Sequence, residues 1–259
     1  MYTMGMVLRH GTEEQKQLWL PRIADGTLRL QAFGVTEPAS GTDTTRITTS
    51  AVRDGDDYIV NGQKIWTSRV GHSDLMILLA RTSPREDSSK PTQGLSVFML
   101  DLREEVGKSI TITPIQTMIN HSTNSVFFDD LRVPAENLIG KIGEGFKYIM
   151  DGMNAERILI GAECIGDARF LIQRASEYAS EREVFGRPIG QNQGIQFPIA
   201  EVHVQTEAAA LMEEKAATCF DELRTCGTEA NMAKLLAADA SWKAADVCMQ
   251  TFGGFAFAA

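Results

Sequence analysis

The chain has 259 residues, a formal net charge of −9 and a hydrophobic fraction of 43%. That length can bury a sizeable core, and the apolar content excludes a disordered chain. The acidic balance, with pI near 5.0, excludes a general nucleic-acid binder, and no apolar run approaches the roughly 20 residues of a membrane span.

The elements read in chain order as helix, strands, then long helices. Thr12-Glu13-Glu14-Gln15 opens a short helix with a capping-box pattern, and Leu18, Leu20 and Ile23 give its apolar stripe. Residues 31–139 read as strands. Asp54-Gly55-Asp56-Asp57 is a turn signal before the strand at 58–60, and Asn61-Gly62 predicts a second hairpin turn leading into Lys64-Ile65-Trp66-Thr67. Residues 75–80 are a continuous apolar run of strand length. Residues 83–93 form a polar loop, and 95–102, 110–115 and 125–128 complete the strands. Many short strands separated by turns predict a barrel or sandwich.

Beyond Gly140 the period becomes helical. Ile158, Ile165, Ala168, Ile172, Ala175 and Ala179 share one helix face. Ile199, Val202, Ala209, Ala216, Phe220 and Leu223 give a second, and residues 229–249 an Ala-rich third. The expected fold is α+β: the tail of a helical domain (1–30), a β-domain (31–140) and an antiparallel helix bundle (141–259). Cys164, Cys219, Cys226 and Cys248 form no CxxC pair, which argues against a zinc site and against a disulfide framework. They read as buried free thiols. No candidate metal ligand set is found, no GxSxG elbow is present, and the N-terminus lacks a secretory signal pattern.

The most informative stretch is Phe33-Gly34-Val35-Thr36-Glu37-Pro38-Ala39-Ser40-Gly41-Thr42-Asp43. A short apolar strand runs into a Gly/Ser/Thr loop, which offers backbone N–H groups and hydroxyls to an anionic or carbonyl-rich ligand. Asn61-Gly62-Gln63-Lys64-Ile65-Trp66-Thr67-Ser68 ends a strand on a Trp flanked by hydroxyls. Taken alone, that Trp reads as rim packing. Val133-Pro134-Ala135-Glu136-Asn137, Gly143-Glu144-Gly145-Phe146, Glu181-Arg182-Glu183-Val184-Phe185-Gly186 and Gln250-Thr251-Phe252-Gly253-Gly254 follow in order. Together these stretches resemble the acyl-CoA dehydrogenase family over essentially the whole chain.

The resemblance implies FAD as cofactor and α,β-dehydrogenation of an acyl-CoA thioester as the reaction. It implies that Phe33, Val35, Thr36, Thr42, Trp66, Thr67 and Ser68 line the flavin, Val35 and Thr36 at its pyrimidine end, and that Thr42 also touches the thioester. Arg182 and Phe185 then reach the FAD of a neighbouring subunit, with Gln193, Gln250, Gly253 and Gly254 at its adenosine half. An oligomer, a dimer of dimers, is the expected assembly. An electron-transfer flavoprotein or similar acceptor is the expected partner, with a bacterial cytoplasm or mitochondrial matrix as the setting. For Arg182 an ordinary helix-end ion pair with Glu181 or Glu183 is the alternative, and for the threonines turn capping.

In most of the family the catalytic glutamate follows the Phe-Gly-Gly segment, and the chain is expected to be incomplete at both ends. In a smaller branch the glutamate directly precedes the arginine that Arg157 matches. Asn154-Ala155-Glu156-Arg157 therefore makes Glu156 the candidate base, with Asn154 and Arg157 supporting the substrate. The alternative is a Glu-Arg pair near a helix start that merely suits the macrodipole. His121, on the loop before the strand at 125–128, is a further candidate ligand contact or a surface residue. Two other activities fit the same motifs. An acyl-CoA oxidase-like flavoprotein would reoxidise rapidly in air, and a non-catalytic FAD-binding homologue would show no flavin bleaching with any acyl-CoA.

Overall fold

In the computed structural model, which describes residues 2–86, 89–119 and 122–258, the chain divides after Gly152 into two compact units. The first opens with α1 (Tyr2–His10) and α2 (Glu13–Ala24). α2 starts as its sequence predicts: Thr12 accepts from the Gln15 N–H, and the Gln15 side chain returns to the Thr12 N–H. Of the predicted stripe, Leu20 and Ile23 are half-buried and Leu18 is a correction. Gln15 and Trp19 are the buried residues of α2, and Leu18 is 54% exposed. Gln15 is drawn inward because its amide donates to the carbonyls of Glu136 and Leu138, an anchor that apolar periodicity does not register.

Eight strands then form one mixed sheet: β1 (Leu30–Gly34), β2 (Ser50–Asp54), β3 (Asp57–Ser68), β4 (Leu75–Arg81), β5 (Leu95–Asp101), β6 (Ile110–Ile115), β7 (Thr123–Pro134) and β8 (Leu138–Ile139). The order is β6-β7-β3-β2-β4-β5-β8, with β1 parallel to β4. The Tyr58 ring meets Phe98 edge-on at 4.9 Å, although β2 and β4 separate β3 from β5 in the sheet. The sheet therefore curls over a core that includes Val60, Met76, Phe98, Phe128 and Leu131. β4 is buried along nearly its whole length, as its unbroken apolar run requires.

The predicted Asn61-Gly62 turn is a second correction, since β3 runs unbroken from Asp57 to Ser68. Gly62 marks a register shift against β7, with φ +146°, and a Cβ there would lie 2.6 Å from Thr49 Cα. The glycine is needed for close approach of neighbouring backbone rather than for a turn.

The helix α3 (Gly145–Glu181) begins in the first unit, and the second unit is built from its length beyond Gly152 with α4 (Gln193–Asp221) and α5 (Gly227–Phe252). Ile158, Ala216 and Ala233 form one buried layer, Ile165, Ala209 and Ala237 the next, and Ala168, Val202 and Ala244 a third. Numbers rise along α3 and α5 and fall along α4, so α4 runs antiparallel to both. Alanine recurring every three or four residues of α5 keeps these helices close. Leu223, placed on the α4 face from sequence, lies beyond the helix end at φ +56° and is exposed, because the chain is already turning away.

Candidate functional site

The loop after β1 and the end of β3 are joined by backbone and by charge. The Ile65 N–H donates to the Thr36 carbonyl at 2.9 Å. Lys64, fully buried, reaches across to the Val35 carbonyl at 3.0 Å and to Glu37 Oε1 at 2.9 Å. Glu37 also accepts from the Thr48 N–H at 2.6 Å, the Thr48 hydroxyl at 3.0 Å and the Thr49 N–H at 2.9 Å. A buried charge is tolerable only with such partners. Burial would raise the Glu37 carboxyl, but the Lys64 charge and these donors together hold it below its ordinary range. Burial dominates at Lys64 and, against the pull of Glu37, brings its ammonium down to about 8.

Motif and periodicity alone do not reveal this pair, although Glu37 lies within the 33–43 stretch and Lys64 within 61–68. A lysine at an inward position of an alternating strand was the available signal.

A second register shift in β3, between Lys64 and Thr67, decides which way the next side chains point. Simple alternation would turn Trp66 inward beside Lys64. Instead Trp66 adopts φ +60° and is 57% exposed, Thr67 is buried and Ser68 is exposed. The bulge thus re-aims the indole out of the core. The Thr67 hydroxyl is buried with no hydrogen-bond partner among the described residues. Val35 and Thr36 are half-buried, as is Phe33, and among the described residues nothing accepts from the Thr36 N–H. Thr42 is exposed on the following loop.

In the second unit, Glu156 lies half-buried in α3. Burial pushes its carboxyl above the ordinary value, and the adjacent Arg157 offsets only part of this. Arg157 Nη1 donates to Asn154 Oδ1 at 3.0 Å, so the two predicted supporting residues are held together. Arg182 makes no ion pair with Glu181 or Glu183; its guanidinium lies 5.9 Å from the centre of the Phe255 ring. Tyr178 stacks on Phe252 at 4.2 Å, and these four side chains line a pocket of about 470 Å³ with Gly254.

Beyond Arg182 the short strands β9 (Glu183–Val184) and β10 (Arg187–Pro188) form a hairpin. Its two turn residues, Phe185 and Gly186, both have positive φ, a type I′ geometry that leaves the Phe185 ring wholly exposed at the tip. Gln193 is exposed at the start of α4. Gln250 is exposed near the end of α5, and Gly253 closes that helix at φ +60°, ψ −132°, beyond reach of most side-chain-bearing residues. His121 lies outside the described residues.

Comparison with known proteins identifies the family. Residues 32–131 match the acyl-CoA dehydrogenase middle domain, and residues 143–259 match the acyl-CoA dehydrogenase C-terminal domain. The chain belongs to the acyl-CoA dehydrogenase family. It is 38% identical over 251 residues to acyl-CoA dehydrogenase FadE12 of Mycobacterium tuberculosis, covering 96% of this chain and 63% of the relative. Its fold matches butyryl-CoA dehydrogenase from Megasphaera elsdenii with a TM-score of 0.90 at 32% identity, covering 98% of this chain and 65% of that one. It also matches the FAD complex of PigA, with a TM-score of 0.89 at 26% identity over 97% of this chain and 64% of that one. The chain thus spans a little under two thirds of the length of these relatives.

The family is one of FAD-binding flavoproteins, and the residues present fit such a group by their chemistry. The exposed Trp66 indole offers a flat apolar surface, the Thr36 N–H is an open donor, and the Arg182 guanidinium is a cation suited to a pyrophosphate. Among the described residues no cluster of metal-ligating side chains is found, and no helix is long and apolar enough to cross a membrane.

Proposed function

We propose that this chain is the flavin-holding and proton-abstracting part of an FAD-dependent acyl-CoA dehydrogenase, with Glu156 as the base. Bound FAD would supply the acceptor for the β-hydride of the acyl chain. The observation that carries this reading is the state of Glu156: a half-buried carboxyl raised above its ordinary value, with Arg157 held by Asn154 beside it. A carboxylate moved toward working pH is a better match for a weakly acidic α-proton. Glu156 takes that proton on a carboxylate oxygen, and Asn154 and Arg157 steady the acyl-CoA.

Phe33, Val35, Thr36, Thr42, Trp66, Thr67 and Ser68 hold the isoalloxazine, and Thr42 also meets the thioester. Arg182, Phe185, Gln193, Gln250, Gly253 and Gly254 serve the adenosine and pyrophosphate half of a FAD bound by a neighbouring copy, which makes the protein a homo-oligomer, a dimer of dimers. Electrons leave to an electron-transfer flavoprotein or similar acceptor. The β-domain is assigned residues 31–140 and the bundle 141–259.

The test is anaerobic mixing of the FAD-loaded chain with a panel of acyl-CoA thioesters. The parent should lose its flavin absorbance with at least one of them. Glu156→Gln should bind FAD and ligand equally well but keep its absorbance. A parent unreduced by any thioester sinks the proposed activity. A Glu156→Gln variant bleaching at the parent rate moves the base elsewhere.

A further inference from the structure

Lys64 is a lysine with no exposed surface, inserted beneath the loop that follows β1. Its ammonium is satisfied by two oxygens, Glu37 Oε1 at 2.9 Å and the Val35 carbonyl at 3.0 Å. Glu37 has three further donors from Thr48 and Thr49, so it is anchored independently of the lysine. Gly34 leaves room for the lysine stem: a Cβ there would lie 3.3 Å from Lys64 Cγ and 2.2 Å from Met76 Cε. The second bond of Lys64 falls on the Val35 carbonyl, the other end of the peptide that carries the Thr36 N–H, and among the described residues that N–H has no acceptor. A cation at a carbonyl polarises the whole amide and strengthens its N–H as a donor, more so where water is excluded. The same lysine stands two residues before Trp66 on β3, so it also ties the loop to the strand that displays the indole.

We propose that Lys64 is a positioning residue for the flavin: through the Val35 carbonyl it fixes the Val35–Thr36 peptide and strengthens the Thr36 N–H as a donor to the cofactor, with Glu37 as its counter-charge. The proposal rests on the reading that Val35 and Thr36 meet the flavin. A stronger donor at the pyrimidine edge favours the more negatively charged, reduced cofactor, so Lys64 acts on potential as well as on affinity.

The test uses the full chain titrated with FAD, following quenching of flavin fluorescence, together with the reduction potential of the bound flavin. Lys64→Met removes the cation but leaves Glu37 as an uncompensated buried charge. The double variant Lys64→Met/Glu37→Gln removes both charges with side chains of similar volume and keeps the fold. Both variants should bind FAD about tenfold more weakly, the loss of one charge-assisted hydrogen bond. Any flavin they bind should have a more negative potential than in the parent. A double variant with parent circular dichroism, affinity and potential overturns the proposal while the flavin reading stands. A parent chain that takes up no FAD overturns both.

Discussion

The Glu37 carboxylate accepts the backbone N–H of Thr48 at 2.6 Å, and that contact staples the turn after β1 to the segment entering β2. Acid should release it. The Glu37 carboxyl sits below its ordinary value in the folded chain, so on acidification the unfolded chain binds its proton first. The stability it contributes is fully present above about pH 4.5, the unfolded value, and is lost as pH falls through the lower folded value. Urea denaturation between pH 7 and pH 3 should show this loss in the parent. A Glu37→Gln variant should lack that part of the pH dependence, and equal slopes in the two would refute the assignment.

The opposite shift at Glu156 gives a kinetic prediction. A base must be unprotonated, and burial raises this one. Flavin reduction by a reactive acyl-CoA should therefore speed up with rising pH, with a midpoint above 4.5, and level off beyond it. Stopped-flow bleaching across pH 5 to 8 reads this directly. A midpoint at or below 4.5, read by extending the series to lower pH, would remove Glu156 from the role.

Gly62→Ala tests why β3 tolerates a glycine in its interior. The methyl group would lie 2.6 Å from Thr49 Cα, at a φ of +146°. The expected cost is about 1–3 kcal/mol from the backbone conformation alone, with the collision adding to it. A denaturation midpoint equal to the parent's would mean that β3 can shift its register at no cost.

Phe185 should behave in the opposite manner. Its ring touches nothing that would order it and stands fully exposed at the hairpin tip. Phe185→Ala should change stability by no more than about 0.5 kcal/mol, the usual range for an exposed substitution. If the ring serves the FAD of a neighbouring copy, the same variant should retain less FAD on gel filtration. Unchanged FAD content would detach Phe185 from the cofactor.

Much of the fold was legible from patterns that depend only on local periodicity. The Thr12 cap, the Asp54–Asp57 turn, the fully buried β4 and the three long helix faces all follow from residue type and spacing. The errors lie where a distant neighbour overrides local preference. Gln15 turns inward for the carbonyls of Glu136 and Leu138, and Gly62 answers to Thr49 rather than to a turn.

The site divides in the same way. By itself the sequence determined the family, through ordered motifs, and hence FAD as the family's cofactor. The proposal of Glu156 with Asn154 and Arg157 also starts from that resemblance, at one tetrapeptide. Only the tertiary structure decided that Trp66 faces out and Thr67 in, because that depends on a one-residue bulge against β7. Only the tertiary structure paired Lys64 with Glu37 and left the Thr36 N–H without an acceptor. A buried charge is stable only where its counter-charge and donors converge, and that convergence is a property of packed strands rather than of the order of residues along them.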